Sequence, residues 1–372
     1  MNDSDTELCL VLHSVPGISA LKMSSVLRYF GSPAALLDGD HRARIAAGMT
    51  RAESGAVDLA RQHNGHPAAP WSLDQSLQAM RSVDAGVMAI TDPAYPVLLR
   101  TIHDPPPLLY YRGNSAFLSE PCIAIVGSRK ASPAGLRMAS ELAAAATDAG
   151  LTVVSGLALG IDAAAHRGAL SRGGPTVAVI ATGIEQVYPR RHGKLAEEVV
   201  ASGCLLTEFR PGTSPLRAHF PRRNRLISGL SLATVVVEAA LPSGSLLTAG
   251  TALEQGREVF AAPWSIFHRN GRGCLRLIRD GAGIVESIDD VLLELDSLYK
   301  LQLQLQRTCS FDGDADLPPN QGLVLEAIGD TAVDLDSLVT SSQLPVATVL
   351  AGLSSLELGG KIVRLPEGYV RC

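Results

Sequence analysis

The segment 217–229 combines residue types that suit a polyanion. Four arginines fall within nine positions with no acid among them, and an aromatic residue, Phe220, stands between them. Guanidinium groups can follow the phosphates of a single strand while an aromatic ring stacks on a base. The pattern favours single-stranded nucleic acid over the alternative, a solvated basic turn with Phe220 in the core. The arginines are Arg217, Arg222, Arg223 and Arg225.

A second candidate anion site is the sequence Gly127-Ser128-Arg129, which ends an apolar run and precedes a helix predicted to begin near Ser132-Pro133. A glycine lets the backbone approach an anion, the helix start offers free amides, and an arginine can hold a phosphate oxygen. The segment is neither a Walker A loop nor a dinucleotide fingerprint. A plain strand-to-helix turn with a solvated arginine is the alternative.

Two further loops have small residues where a strand gives way to a helix. In the first, Gly156 and Gly160 flank apolar residues, so the backbone could lie against a ligand, and Asp162 is predicted to cap the next helix. A catalytic pair of Asp162 with His166 is disfavoured, because no serine or cysteine elbow accompanies it. In the second loop, the candidate phosphate or sugar donors, which could equally be only caps, are Gly244, Ser245 and Thr248.

More basic residues occur in loops and at helix starts near predicted strand ends. They can gather positive charge on one edge of a chain whose net charge is −5. They are Lys194, Arg269, Arg272, Arg276 and Arg279.

These candidate residues need a scaffold, and the region from Cys122 to about Asp290 indicates one. Apolar runs alternate there with amphipathic helical stretches, which predicts an α/β fold with a doubly wound parallel sheet. Ligands of such sheets bind beyond the carboxyl ends of the strands. The predicted strands are 123–126, 151–154, 176–180, 205–207, 234–237 and 258–260.

Composition narrows the class of protein. With 46% hydrophobic and 19% charged residues, the 372-residue chain can bury a sizeable core, and its net charge excludes a globally basic coat protein. Six scattered cysteines form no Cys-x-x-Cys pair, which disfavours a zinc or disulfide framework. The acidic N-terminus is not a secretory signal, and no apolar run reaches the roughly 20 residues that span a bilayer. We expect a cytoplasmic protein without membrane contact, metal or cofactor.

Five short motifs, in the order in which they follow one another along this chain, resemble the DprA/Smf family of DNA-processing proteins. The resemblance spans roughly Tyr95 to Asp290. It implies an extended Rossmann-like domain that binds single-stranded DNA, usually as a homodimer. It also implies that the protein protects this DNA and loads the RecA recombinase during natural transformation, without catalysis. The motifs are Gly127-Ser128-Arg129, Ser155 to Asp162, Thr182 to Pro189, Phe220 to Arg225 and Ser243 to Ala249.

The resemblance also assigns roles to individual residues. It places a DNA-contacting arginine at Arg129, a second basic contact at Arg217 and a base-stacking ring at Phe220. One departure is Leu275, where many relatives have a polar residue, so a polar contact from that loop is not expected. Arg222, Asn224 and Arg225 complete the phenylalanine motif.

Four segments follow from these patterns and from the resemblance. Residues 1–70 are predicted to form a helical SAM-like module, in which Val15 to Ile18 is either a helix-hairpin-helix or an ordinary turn. Residues 71–298 form the extended Rossmann-like domain, 299–317 a linker and 318–372 a winged helix. The last segment has six acids and three bases, a net charge of −3, which favours a protein partner over duplex DNA.

Two alternative functions remain at this stage. One is a nucleotide-processing hydrolase of the lysine-decarboxylase-like phosphoribohydrolase type. Those enzymes carry a Gly-Gly-x-Gly-Thr-x-x-Glu loop, whereas this chain has Ser243 to Ala249 at the corresponding place, without the glutamate. The other is an adaptor that acts through its terminal modules.

Overall fold

The computed structural model describes residues 3–67, 69, 72–295, 319–328, 333, 335–342, 344–358, 362–365 and 368–371. The chain divides into two compact units, residues 1–302 and 303–372. The predicted linker, 299–317, lies outside the described residues.

The N-terminal region is helical, as predicted. Its helices are short because capping residues begin new helices at close intervals. Four such residues, Ser19, Ser32, Asp40 and Thr50, each accept a hydrogen bond from an amide in the first turn of the helix that follows. The turn between the first two helices contains Gly17, whose φ is 81°, a conformation that favours glycine. The helices are α1 (Asp3–Ser14), α2 (Ala20–Phe30), α3 (Pro33–Asp38), α4 (His41–Ala46), α5 (Arg51–Gln62) and α6 (Leu73–Ser82).

A nine-stranded sheet forms the centre of this unit, in the order β1-β2-β6-β5-β4-β3-β7-β8-β9. All six predicted strands are present, and the seven strands from β3 to β9 run parallel. Sequence patterns missed β1, β2 and β9, of which β1 and β2 extend the sheet as an antiparallel pair. The strands are β1 (Ala85–Ala89), β2 (Leu108–Gly113), β3 (Cys122–Val126), β4 (Thr152–Ser155), β5 (Thr176–Val179), β6 (Cys204–Thr207), β7 (Ala233–Val236), β8 (Glu258–Ala261) and β9 (Gly283–Ile284).

Helices cover the sheet on both faces, which explains why its parallel strands are mostly apolar. Along β3, Ile123 and Ile125 belong to one hydrophobic cluster, whereas Ala124 and Val126 belong to another that also contains Leu12 of α1. The N-terminal helices therefore share a core with the sheet. The remaining helices of this unit are α7 (Val97–Arg100), α8 (Pro133–Asp148), α9 (Ile161–Ser171), α10 (Gly193–Ser202), α11 (His219–Gly229), α12 (Gly244–Glu254) and α13 (Arg272–Arg279).

The direction of the chain across the sheet reverses at β3. From β3 the chain proceeds through β4, β5 and β6 to one side, and then crosses to β7 and β8 on the other. Adjacent loops leave β3 and β7 in opposite directions at such a point and open a crevice, which is where ligands bind in this class of fold.

The second unit is a winged helix, as predicted. Its three helices and its hairpin enclose a small core that includes Val324, Leu338 and Leu353. The elements are α14 (Pro319–Ala327), α15 (Leu335–Ser342), α16 (Val346–Leu358), β10 (Ile362–Leu365) and β11 (Gly368–Arg371).

Candidate nucleic-acid interface

A pocket of about 890 Å³ opens at the reversal point of the sheet. Its walls come from the loops after β3 and β7 and from α11 with the residues just before it. Ala158 and Asp162 after β4, Tyr188 after β5 and Asn270 after β8 complete the lining. Ten of the residues predicted from sequence line it: Gly127, Ser128, Arg129, Arg217, Phe220, Arg223, Asn224, Gly244, Ser245 and Thr248.

Phe220 lies at the centre of a cluster of aromatic and cationic side chains. Its ring is half-buried and meets Tyr188 edge to face, with ring centroids 5.8 Å apart. The Arg129 guanidinium carbon lies 5.2 Å from the centroid of the same ring, in cation–π geometry. Arg129, Arg217 and Tyr188 are themselves exposed. The structure therefore brings the predicted ring and two predicted cations to one pocket, where a base and its phosphate could both be contacted.

The loop after β3 is shaped by close packing. A side chain on Gly127 would come within 2.6 Å of Ile161 and 2.9 Å of the Glu238 carbonyl oxygen, so only glycine fits. The Ser128 amide donates to that carbonyl at 2.7 Å. Ser132 caps α8 and Pro133 follows at its first position, as predicted. The Ser132 hydroxyl also donates to the buried Glu238 carboxyl at 2.7 Å, which fixes the loop that carries Arg129.

The glycines after β4 contact protein atoms. A side chain on Gly160 would come within 2.2 Å of the Ser128 carbonyl oxygen, and one on Gly156 within 2.7 Å of the Arg223 guanidinium. Gly160 also has a φ of 79°. Both glycines therefore support the pocket from behind, and the structure does not place them on its lining.

Asp162 has a different partner from the one predicted. Helix α9 begins after Gly160, and the Asp162 carboxylate accepts from the amides of Gly156 at 3.2 Å and Ala158 at 3.3 Å, so it fixes the preceding loop. Burial raises the pKa of Asp162, while nearby Arg223 acts in the opposite direction. His166 is buried elsewhere, with Nδ1 2.7 Å from the Thr176 hydroxyl, and burial lowers its pKa to about 3. The two residues do not form a catalytic pair.

Arg223 is a structural residue. Burial lowers its pKa to about 10, and Asp162 opposes this shift. Its guanidinium donates to the carbonyl oxygens of Gly156, at 2.7 Å, and of Val179. These bonds tie α11, one turn after Phe220, to the ends of β4 and β5, so Phe220 is held on a fixed backbone.

Arg222 and Arg225 point away from the pocket and share one carboxylate. Glu208, just beyond β6, accepts from the Arg222 Nη2 at 2.9 Å and from the Arg225 Nη2 at 2.6 Å. The Arg225 Nε also lies 3.0 Å from the Asp104 carboxylate. Burial raises the pKa of Glu208, and the two guanidiniums act in the opposite direction. These arginines anchor α11, and sequence patterns missed Glu208 because it lies 14 positions before Arg222.

The loop after β7 presents backbone more than side chains. Ser243 caps α12 by accepting from the Ser245 amide at 3.3 Å, and its hydroxyl lies 2.7 Å from that of Ser245. Ser245 and Thr248 are buried, whereas Gly244 is exposed and a side chain there would meet no atom within 4 Å. The loop therefore offers the exposed backbone of Gly244, with the two hydroxyls on the pocket wall beneath it.

The structure places Lys194 outside the pocket. Its side chain is 92% exposed, and its ammonium lies 3.9 Å from Glu198 on α10. Conversely, sequence patterns did not single out Lys130 and Asn270, which both line the pocket. The Asn270 amide nitrogen donates to the Lys130 carbonyl oxygen at 3.2 Å, so the two walls are joined.

Two other classes of site have no support among the described residues. In that part of the chain, no three His, Cys, Asp or Glu side chains are grouped so that they could hold a metal ion. No described helix has the length and apolar character that a membrane crossing needs.

Fold and site together define a doubly wound α/β protein whose pocket at the reversal point joins cations to an aromatic ring. A family model described as DNA recombination-mediator protein A matches residues 86–296, and one described as the DprA winged helix domain matches 312–368. The chain belongs to the DprA/Smf family, as its motifs predicted.

Individual relatives agree with this assignment. DNA processing protein DprA of Streptococcus pneumoniae is 44% identical over 208 residues, which cover 56% of this chain and 73% of the relative. Protein Smf of Escherichia coli is 37% identical over 302 residues, 81% of each chain.

Two solved structures have the same fold. The X-ray structure of DprA from Streptococcus pneumoniae matches with a TM-score of 0.65 and 34% identity, covering 79% of this chain and 99% of that one. DprA from Helicobacter pylori, whose structure is described by its single-stranded DNA binding mode, matches with a TM-score of 0.52 and 27% identity. That match covers 58% of this chain and 97% of the other.

Proposed function

We propose that this protein binds single-stranded DNA in the pocket around Phe220, protects the strand and loads RecA recombinase onto it during natural transformation. The observation that carries the proposal is the half-buried Phe220 ring, with Arg129 stacked over it and Arg217 on the same wall. An aromatic ring beside exposed cations is the arrangement that binds unpaired strands with little preference for sequence. The single-stranded DNA binding mode of the Helicobacter pylori relative supports the same ligand.

The proposal includes no catalytic step. Among the described residues that line the pocket, the one acid is Asp162, and it is buried and occupied by two backbone amides. A nucleotide hydrolase would need a carboxylate free to activate water beside the phosphate. Release of free base from nucleoside monophosphates incubated with the protein would favour the hydrolase and contradict this part of the proposal.

Titration with oligo-dT at several salt concentrations tests the binding site. Phe220→Ala should weaken binding at every salt concentration by about 1 to 3 kcal/mol, because it removes a stacking surface. Arg129→Ala should instead make the dependence of log K on log salt shallower by about 0.7, the value for one lost contact to a single-strand phosphate.

Lys194→Ala is the matched control, because it removes an exposed cation from outside the pocket. It should leave both the affinity and the salt dependence unchanged. Equal affinities of wild type, Phe220→Ala and Arg129→Ala would remove these residues from the binding site. Tighter binding of duplex than of single-stranded oligonucleotides, measured by fluorescence anisotropy, would contradict the choice of ligand.

The role with RecA needs its own test, as does the homodimer. RecA should assemble faster on DNA coated with single-strand binding protein when this protein is added, measured through the ATPase activity of RecA. Sedimentation velocity should give twice the chain mass. RecA assembly at the same rate with and without the protein would contradict loading, and a single-chain mass would contradict the homodimer.

A further inference from the structure

The turn after β8 exposes two large apolar side chains side by side. Phe267 is 88% exposed and Ile266 is 68% exposed. Single exposed apolar residues are common on protein surfaces. An adjacent pair that includes a nearly bare aromatic ring suits a binding surface better, provided that the backbone beneath it is ordered.

The turn has a rigid base. The Trp264 indole N–H donates to the Val237 carbonyl oxygen at 2.7 Å, and the rings of Trp264 and His268 stack with centroids 4.3 Å apart. The His268 amide donates to the Ser265 carbonyl oxygen at 2.8 Å. A side chain on Gly271 would come within 2.2 Å of Trp264, so the backbone closes tightly on the indole. Phe267 therefore projects from an ordered turn, which lowers the entropic cost of binding a ligand there.

The turn is continuous with the Phe220 pocket. Asn270, three positions after Phe267, lines that pocket and donates to the Lys130 carbonyl oxygen. Three residues span at most about 11 Å, so the backbone of Phe267 lies within that distance of the backbone of Asn270 on the pocket wall. Lys130 in turn follows Arg129, which stacks on Phe220. Phe267 is thus linked to Phe220 through Asn270, Lys130 and Arg129.

The charge of the segment indicates what the turn binds. Residues 263–279 include four arginines and no acid, and Arg269 and Arg272, next to the turn, are exposed. An apolar protein partner would not need this concentration of cations, whereas a polynucleotide needs both the ring and the charge. It is the same combination of residue types that surrounds Phe220.

We propose that Phe267, flanked by Ile266, is a second base-stacking platform, so that a bound strand runs from Phe220 past Lys130 and Asn270 to Phe267. The inference rests on the proposed function and enlarges the site that binds the strand. Phosphates between the two stacked bases then face Lys130 and Arg269.

The test compares full-length variants on oligo-dT of about 4 and about 16 nucleotides, the limits of the site sizes typical for single-strand binding folds. Phe267→Ala should weaken binding of the long oligonucleotide about 5- to 150-fold, the equivalent of one lost base stack. The short one, which occupies the Phe220 pocket, should bind as it does to wild type. Phe267→Tyr should keep wild-type affinity, because it keeps the ring. Tyr29→Ala, which removes an exposed aromatic from α2, should have no effect on either.

Photocrosslinking gives an independent measurement. An oligonucleotide carrying 5-iodouracil should crosslink to the tryptic peptide that contains Phe267 as well as to the one that contains Phe220. Normal binding by Phe267→Ala, combined with weakened binding by Phe220→Ala, would overturn this inference and leave the proposed function intact. Unchanged DNA affinity of Phe267→Ala together with an altered oligomeric state would also overturn it, and would assign the turn to a contact between copies of the chain. If neither substitution changed affinity, both the proposed function and this inference would be contradicted.

Discussion

Two arginine-rich segments of this protein have similar compositions and different surroundings. In 217–225, two of the four arginines, Arg223 and Arg225, are buried, and Arg222 pairs with a buried carboxylate. Among the arginines of 263–279, Arg269 and Arg272 are exposed, and Arg276 pairs with Asp280 on the surface. Clustered arginines can therefore organise a site from within or present charge to a ligand, and the burial of each guanidinium decides which.

The largest expected effect is on folding. Arg225→Ala should lower the free energy of unfolding by about 3 to 5 kcal/mol, because it leaves the buried Glu208 carboxylate without its closest partner. Arg222→Ala removes a half-exposed guanidinium from the same carboxylate and should cost no more than about 1 kcal/mol. Urea unfolding of both variants measures the difference. Equal losses would show that the burial of Arg225 does not set its role.

A second prediction concerns a carboxyl that supports two loops of the proposed DNA-binding site, those that carry Arg129 and Phe267. Glu238 is buried, accepts from the Ser132 amide and hydroxyl, and lies 3.6 Å from the His268 Nε2. Glu238→Ala should lower the free energy of unfolding by about 1 to 3 kcal/mol, because it leaves the partly buried Ser132 amide and hydroxyl without their acceptor. It should also weaken oligo-dT binding, although Glu238 does not line the pocket.

The control for this prediction is Glu120→Ala, which removes an exposed carboxylate. It should change neither stability nor affinity. Wild-type affinity in Glu238→Ala would mean that the loops carrying Arg129 and Phe267 keep their positions without this anchor.

Sequence patterns predicted the scaffold well because its parallel strands are mostly apolar. Each of the six predicted strands overlaps an observed one. Strands β1 and β2 were missed in part because β2 joins the sheet through β6, which lies about 90 residues further along the chain, and β1 joins it only through β2. Hydrophobic periodicity reports only local structure and cannot show such a contact.

The sequence predicted the candidate site from residue types. The role of each residue within it depends on its neighbours in three dimensions, which the sequence does not show. Arg222 and Arg225 have the same chemistry as Arg217, but Glu208 lies outside the motif and pairs with only two of the three. Gly156 and Gly160 are glycines because protein atoms fill the space beside them. A local pattern shows that space is scarce at a glycine, and it does not show whether protein or ligand occupies that space.

The next largest effect is on the salt dependence of DNA binding, and it distinguishes two arginines of segment 217–225. Arg217 is exposed on the pocket wall, whereas Arg222 pairs with Glu208 outside it. Arg217→Ala should make the dependence of log K on log salt shallower by about 0.7, and Arg222→Ala should leave it unchanged. Oligo-dT titrations at several salt concentrations measure both slopes. A shallower slope in Arg222→Ala would mean that its guanidinium leaves Glu208 when DNA binds.

The smallest expected effect on folding comes from a substitution in segment 263–279. Arg272 is exposed at the start of α13, so Arg272→Ala should change the free energy of unfolding by less than about 0.5 kcal/mol. If the strand reaches Phe267, the same substitution should make the salt dependence shallower by about 0.7 on a long oligonucleotide and leave that of a short one unchanged. Arg225→Ala should instead cause a large loss of stability. A loss of stability in Arg272→Ala as large as that in Arg225→Ala would remove the distinction between the two segments, because an exposed guanidinium would then be supporting the fold.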